Sequence, residues 1–156
     1  MAMAERLRGF FRARGVCYGL VPHPRSCCAR ETAKLAHVGG DHIAKGVLLE
    51  EEGAYLLVVV PGSPWVKLKS VSEALNRQLE LASEAQVAAF FADCQPGSIP
   101  PFGAAYGIET AVDESVLSLA DVYFELGDHE QLGHVSGRLF NELHRGARRG
   151  YFSHPG

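Results

Sequence analysis

The sequence predicts an α+β domain in which helices flank a mixed, curved sheet of six to seven strands. Runs with strand character and runs with helical spacing follow one another in mixed order, which is typical of this class. The run 54–60 is apolar on both faces and therefore predicts a central strand. The 156 residues suit one domain, residues 1–156, whose core needs no disulfides.

The first half of the chain predicts two helices and three strands. Leu7, Phe10 and Phe11 have the spacing of one helix face, and Pro22 ends the strand that follows them. Gly53 turns one strand back into the next. The predicted elements are a helix over 4–14, a strand over 16–21, a helix over 28–38, and strands over 43–51 and 54–60.

The second half predicts three helices and four short strands around one long loop. Ser70 and Ser83 are each followed three residues later by Glu or Gln, the spacing of a capping box at a helix start. Residues 93–107 are rich in Gly and Pro and predict a loop of the length that often carries function. The other predicted elements are strands over 79–81, 108–112, 121–126 and 133–136, a turn over 127–132 and a helix over 137–147.

Charge and composition exclude several classes of protein. Fifteen Lys and Arg against 18 Asp and Glu give a net charge of −3. This excludes a protein that binds nucleic acids and other polyanions non-specifically, since such a protein is strongly basic. The seven His and four Cys lack the spacing of a zinc site, and no nucleotide-binding loop is present, so we predict no metal and no cofactor. No signal peptide or membrane-length apolar run is present in the sequence, which predicts a cytoplasmic protein without a membrane partner.

Two arginine clusters have two interpretations. They are solvated helix faces, or they add weak, salt-sensitive contacts to a nucleic acid. The clusters are Arg6, Arg8, Arg12 and Arg14 near the start of the sequence, and Arg145, Arg148 and Arg149 near its end.

Lys45 is unusual because it lies in a strand-like run. Strand alternation places it on the same face as Ile43, Val47 and Leu49, which are all apolar. A lysine at such a position either extends to solvent or binds an anion or a carbonyl oxygen at the mouth of a pocket. Both interpretations remain open from the residues alone.

The loop Gly97-Ser98-Ile99-Pro100-Pro101-Phe102-Gly103 is a second candidate. Gly97 permits close approach of a ligand, and the two prolines stiffen the loop and remove two N–H donors. Clustered N–H groups on a rigid loop bind an oxyanion or a carbonyl. A plain structural turn is the alternative.

Three histidines are further candidates. His134 follows the predicted turn in a short strand, and His129 lies in the turn itself. His23 stands between two prolines in a loop. For each of them, a solvated or internally hydrogen-bonded histidine is the alternative to a site residue.

These residues, taken in order, resemble the YbaK family, which is related to the editing (insertion) domain of bacterial prolyl-tRNA synthetases. The resemblance covers roughly residues 16–145 and lies in the order of several short features. They are Glu31-Thr32-Ala33, Ile43-Ala44-Lys45, the apolar run 54–60, the G-x-x-x-P loop from Gly97 to Pro101 continued by Phe102-Gly103, Val112-Asp113-Glu114-Ser115, and the Gly-Asp-His…His-Val-Ser segment over 127–136.

The resemblance implies a partial barrel and an enzyme that acts in trans, hydrolysing the ester between a wrong, small amino acid and tRNA. It also implies that the partner is the aminoacyl-tRNA acceptor end, with an aminoacyl-tRNA synthetase as a second candidate. The family is described as lacking a protein nucleophile, a ribose hydroxyl helping to position the water. Ser98 as a nucleophile is the minor alternative, because no base is evident beside it.

The resemblance also implies site residues. The catalytic candidates are Lys45, which matches the family lysine, Gly97 of the G-x-x-x-P loop, and His134 as the polar residue of the last hairpin, with His129 as the alternative for that role. The substrate-binding candidates are His23, Ser98, Ile99, Pro101, Phe102, Gly103 and His129. A binding module of the same fold, which holds aminoacyl-tRNA, a nucleotide or a protein without turnover, is the alternative function.

Overall fold

The structure is a computed structural model that describes residues 3–22, 39–62 and 68–152. His23 and the helix predicted over 28–38 lie outside these residues. The strands are β1 Gly19–Pro22, β2 Ile43–Glu51, β3 Ala54–Pro61, β4 Glu80–Leu81, β5 Glu109–Asp113, β6 Asp121–Glu125, β7 Gln131–Ser136 and β8 Arg148–Gly150. The α-helices are α1 Glu5–Ala13, α2 Leu68–Leu75, α3 Glu84–Phe90, α4 Glu114–Leu117 and α5 Gly137–Leu143, and short 3-10 helices cover Gly40–His42 and Gly103–Tyr106.

The eight strands in the described part of the chain form one mixed sheet. Its order is β1-β7-β6-β2-β3-β5-β8, with β4 added to β2. β2 is antiparallel to β3 but parallel to β6, and β5 is parallel to both β3 and β8. The sheet is open, because β1 and β8 stand at the two ends of this order. The predicted α+β class with a mixed sheet is confirmed.

One edge of β2 is shared by two strands. β6 pairs with it only at Ile43 and Ala44, and β4 pairs with it only at Leu49 and Glu50. Residues 45–48 therefore lie between these two partners, and we call this stretch the open edge of β2. The apolar strand β3 pairs along the whole other edge and is central, as predicted.

The two faces of the sheet are covered differently. Ala44 and Leu48 mark the back face, where α1, α3 and α5 pack in two adjoining clusters. Phe102 is at the centre of the back-face core, with its ring 5.2 Å from that of Phe11 and 4.8 Å from that of Phe124. Ile43, Lys45 and Leu49 belong to the front face, where α2 packs near Leu49.

Two predicted helix starts have different outcomes. At α3, the Ser83 Oγ accepts from the Gln86 N–H at 3.1 Å and the Ser83 N–H donates to Gln86 Oε1 at 2.7 Å, which confirms the capping box. The start predicted at Ser70 is wrong, because α2 already includes Leu68. The S-x-x-E spacing therefore falls inside this helix.

Several other boundaries differ from the prediction. The first strand begins at Gly19 rather than at residue 16, and α5 ends at Leu143 rather than at residue 147. Gly146, with φ of +89°, turns the chain into β8, which raises the strand count to eight. The turn after β6 is shorter than predicted, because β7 begins at Gln131. α4 was missed since it is only four residues long.

Candidate active site

Lys45 projects from the front face of β2 at the start of the open edge. It pairs with Val60 of β3, and its side chain is half-buried. Its neighbours on the same face are Ile43, which is in one apolar cluster, and Val47, which packs against another. The predicted face of Ile43, Lys45, Val47 and Leu49 is therefore confirmed, and Lys45 lies between residues of two apolar clusters.

Glu125 is a candidate that the sequence analysis missed. It is only 5% exposed. The parallel register pairs Ala44 with Phe124, so one residue further along each strand brings Glu125 beside Lys45 on the front face. The signal for it was a carboxylate that directly follows the apolar run Val122-Tyr123-Phe124 and shares the face of Tyr123.

Residues 95–98 form a tight turn that is tied to the end of β6. The Gln95 N–H donates to the Gly127 carbonyl at 2.8 Å. Ser98 is fully buried, and both its N–H and its hydroxyl donate to the Gln95 carbonyl, at 3.1 and 2.8 Å. Gly97 is exposed at the tip of the turn with φ of +80°, a backbone conformation that favours glycine. Ser98 thus stabilises the turn that presents Gly97.

The rest of the predicted loop packs into the back face. Pro101, Phe102 and Gly103 are buried. A Cβ added to Gly103 would lie 2.0 Å from Thr110 Oγ1, so this glycine allows close packing of the loop on β5. Ile99 is half-buried and lines a groove of about 530 Å³ with Gly97 and α3. Gly97 and Ile99 therefore line this groove, whereas Phe102 lines a separate, smaller cavity of about 110 Å³ together with His144.

His129 contacts this loop from the turn between β6 and β7. Its side chain is buried, and its Nε2 hydrogen-bonds to the Pro96 carbonyl, next to Gly97. Because a carbonyl only accepts, Nε2 carries the proton and Nδ1 has a lone pair in the neutral ring. That Nδ1 is buried and has no hydrogen-bond partner among the described residues. The Asp128 carboxylate shapes the turn by accepting from the backbone N–H groups of residues 130 and 131.

The turn of His129 continues β6 beyond its pairing with β2. Its first residues bond to other elements: the Leu126 carbonyl accepts from the Ala4 N–H and the Gly127 carbonyl accepts from the Gln95 N–H, both at 2.8 Å. Lys45 and Glu125 therefore lie side by side at the open edge of β2, and the turn that begins after Glu125 brings His129 against the turn that carries Gly97. Phe102 and the buried end of the loop lie on the opposite face from the Lys45 side chain.

His134 lies apart from that edge, on β7. Its Nε2 is 2.8 Å from Asp121 Oδ1, and its ring stacks on Tyr123 with a centroid distance of 4.6 Å. One-third of its side chain is exposed. It shares the front face with Lys45, but the intervening Tyr123 and Ile43 separate the two residues. Of the two hairpin histidines, His129 is thus the one against the loop.

His144 is a second histidine that contacts the loop, and the sequence analysis missed it. It is 6% exposed, with Nδ1 2.8 Å from the Phe140 carbonyl and Nε2 2.7 Å from the Pro101 carbonyl. Burial lowers the pKa of His144 from 6.5, while the two carbonyls favour the charged form and oppose the shift. The signal was weak, because this histidine extends an apolar helix face.

Cys94 lies at the base of the same loop but is not an activated nucleophile. Burial raises the pKa of Cys94 to about 12, opposed by a hydrogen bond with Tyr106. The Asp93 carboxylate accepts from the Tyr106 hydroxyl at 2.9 Å and lies 3.5 Å from the Cys94 sulfur. In the described part of the chain, no three His, Cys, Asp or Glu side chains are arranged to hold a metal ion. No described helix has the length and apolar character needed to cross a membrane.

Solved structures share this fold. The hypothetical protein APE2540 is 26% identical with a TM-score of 0.83, over 96% of this chain and 100% of that chain. A candidate trans-editing enzyme for prolyl tRNA synthetase is 22% identical with a TM-score of 0.82, over 97% of each chain. A candidate signal transduction protein from Marinobacter aquaeolei is 19% identical with a TM-score of 0.75, and the match spans 96% of this chain but 30% of that protein.

The comparison with curated proteins gave no significant match. The comparison with protein families gave a match. Residues 23–143, which are well over half of the chain, match the family described as the aminoacyl-tRNA editing domain. They include the open edge of β2, the loop that carries Gly97 and the turn that carries His129. The chain therefore belongs to the family of aminoacyl-tRNA editing domains.

Proposed function

We propose that this chain is a deacylase that hydrolyses the ester bond of tRNA mischarged with a small amino acid, acting after the tRNA leaves the synthetase. Membership of the editing-domain family supports the substrate class. The similarity in fold to a candidate trans-editing enzyme supports action in trans. A cytoplasmic location, where charged tRNA is used, follows from this function.

The observation that carries the proposal is the buried lone pair of His129. The Pro96 carbonyl holds Nε2 in the protonated form, and Nδ1 has no partner among the described residues. A buried acceptor of this kind needs a donor, and an ordered water supplies one. A histidine nitrogen in contact with a water is suited to act as a general base. His129 therefore takes the place at the site that the sequence analysis assigned to His134.

The ester oxygen that becomes negative needs hydrogen-bond donors. Gly97 lies at the exposed tip of its turn, and its N–H and that of Ile99 flank Ser98, whose own donors are used by Gln95. In the proposed reaction a water attacks the ester carbonyl carbon and the Gly97 N–H stabilises the oxyanion. The ester C–O bond then breaks, and the ribose oxygen leaves with a proton. No covalent intermediate on the protein is required.

Lys45 and Ile99 position the substrate in this proposal. The Lys45 ammonium group, between apolar clusters of the front face, holds the terminal phosphate or ribose of the acceptor end. Ile99 narrows the groove beside Gly97 and so favours small amino acids by size. Pro101, Phe102 and Gly103 support the loop from behind, since they are buried.

The test is a hydrolysis assay with purified protein and a panel of mischarged tRNAs that includes Ala-, Ser- and Cys-tRNA(Pro). Wild type is compared with Lys45→Ala and His129→Gln. Lys69→Ala is the matched control, because Lys69 is 79% exposed on α2, away from the open edge. We expect wild type and Lys69→Ala to release one amino acid. His129→Gln should lose at least about 100-fold in kcat/KM, the size of a typical general-base contribution, and Lys45→Ala should lower kcat/KM because it removes a contact to the acceptor end.

Two results would contradict the proposal. Release at the wild-type rate by folded Lys45→Ala and His129→Gln would remove both residues from the site. Binding of aminoacyl-tRNA without release from any substrate would favour the binding module instead. Circular dichroism of each variant separates loss of activity from loss of fold.

A further inference from the structure

His134, the partly exposed histidine of β7, has no role in the proposed reaction. His134 shares one row across the front face with Tyr123 of β6 and Ile43 of β2, as the strand registers show. Gly19 of β1 completes the row on the outer side of His134. The order along the row is Ile43, Tyr123, His134 and Gly19.

Each inner member of this row is covered by the next. Ile43 is fully buried, and the Tyr123 and His134 rings stack at an interplanar angle of 13°. The Asp121 carboxylate fixes the His134 ring through Nε2 at 2.8 Å. The stack therefore has a defined orientation and ends at the outer side of His134.

That outer side is open because the last member of the row is glycine. A Cβ built on Gly19 would lie 3.5 Å from His134 Cβ and Nδ1, which is ordinary van der Waals contact. This is also the spacing at which a planar ring stacks. Among the described strands β1 pairs only with β7, and Gly19 is exposed, so the space above Gly19 lies at the edge of this sheet. We call it the Gly19 slot.

We propose that the Gly19 slot binds the terminal nucleobase of the tRNA acceptor end, stacked on His134. The inference rests on the proposed function, because it names where the acceptor end of that substrate lies. Single-stranded RNA ends are recognised by bases that stack on aromatic side chains, including histidine. Here the slot extends an existing stack by one ring.

The slot is on the same face as the candidate site and within reach of it. His134 is two strands away from β2, about 10 Å, and Lys45 lies two residues beyond the row, about 7 Å along the strand. The two Cα positions are therefore roughly 12 Å apart. One acceptor end can place its base in the slot and its ribose near Lys45. In this arrangement His134 is a positioning residue rather than a catalytic one.

The experiment measures binding of an uncharged RNA microhelix that ends in CCA, and of the same microhelix without its terminal base. We expect wild type to bind the intact RNA about 5- to 150-fold more tightly, the range of base–aromatic stacking. Gly19→Val fills the slot in a strand that tolerates branched residues, and His134→Ala removes the platform, so both should lose this preference. His134→Phe keeps a ring and should retain it.

Leu20→Val is the matched control. Leu20 is the next residue of β1, points to the back face and is 54% exposed.

The inference is overturned if Gly19→Val still prefers the intact RNA, or if wild type shows no such preference. The hydrolysis assay is a separate readout. A wild type that prefers the intact RNA but releases no amino acid supports the slot and contradicts the deacylase. A wild type that releases the amino acid but shows no preference for the intact RNA supports the deacylase and contradicts the slot. In an active enzyme, His134→Ala should raise KM and leave kcat nearly unchanged.

Discussion

His129 and His144 hold the carbonyls of Pro96 and Pro101, at the two ends of the segment that carries Gly97. Proline has no N–H, so its carbonyl is the only backbone atom through which these positions can be hydrogen-bonded. The two imidazoles come from different elements, the turn after β6 and the end of α5. The tip of the loop is thus held between two buried side chains that are far apart in sequence.

The burial of His144 predicts a stability that depends on pH. Burial lowers its pKa from 6.5, so the folded protein resists protonation, whereas the unfolded chain takes up a proton below about pH 6.5. The contribution of neutral His144 to the free energy of unfolding is therefore fully present above this pH. Below it the free energy of unfolding declines, by up to about 1.4 kcal/mol per pH unit for one group. Urea unfolding between pH 5 and pH 8 measures this slope.

His144→Gln should reduce the slope, since glutamine does not titrate. An identical decline of stability for wild type and His144→Gln would show that other groups cause it.

Gly97→Ala should reduce activity by more than its effect on stability explains. Gly97 has φ of +80°, and alanine there costs about 1–2 kcal/mol and displaces the N–H at the tip of the loop. Gly53 is the matched control, because it has φ of +84° in the β2–β3 turn with no atom within 4 Å of an added Cβ. Gly53→Ala should lose similar stability and keep full hydrolysis. Equal activity of the two folded variants would exclude a role for the Gly97 N–H.

The sequence was sufficient for the class of fold and for the family. Periodicity identified α1 and β3, because Leu7, Phe10 and Phe11 are all buried on one side of α1 and the run 54–60 is central in the sheet. The order of short motifs identified the editing-domain family, which the match over residues 23–143 confirms. Local patterns are reliable where one face of an element is buried.

The geometry of the site could not be predicted in the same way. Strand alternation put Lys45 on the front face, but only the packing of Phe102 shows that most of the loop covers the other face. The choice between His129 and His134 depends on whether a side chain faces the loop, which spacing does not define. Glu125 comes beside Lys45 through the register of β2 with β6, and His144 reaches the loop from the end of α5. Both relationships are long-range in sequence.

Cys94 should be inert to alkylation in the folded protein, although it lines the groove beside Gly97. Burial raises its pKa to about 12, so almost no thiolate is present near neutral pH. Cys17 is exposed and should react first. Iodoacetamide labelling at pH 7.5 with peptide mass spectrometry measures both rates in one sample. Labelling of Cys94 as fast as Cys17 would contradict this burial, and labelling in urea should abolish the difference.

Asp113 should be a determinant of stability rather than of activity. Its carboxylate is fully buried and accepts from the Ser115 N–H at 2.9 Å, the Ser115 hydroxyl at 2.6 Å and the Phe152 N–H at 2.7 Å. Asp113 therefore caps the start of α4 and also binds the backbone of the buried Phe152 to the end of β5. Asp113→Asn should lower the free energy of unfolding by about 2–3 kcal/mol, because it weakens charged hydrogen bonds in a buried place. Asp41→Asn, at an exposed carboxylate, should change it by less than about 0.5 kcal/mol. Urea unfolding measures both, and a loss of kcat in folded Asp113→Asn would instead place this carboxylate in the reaction.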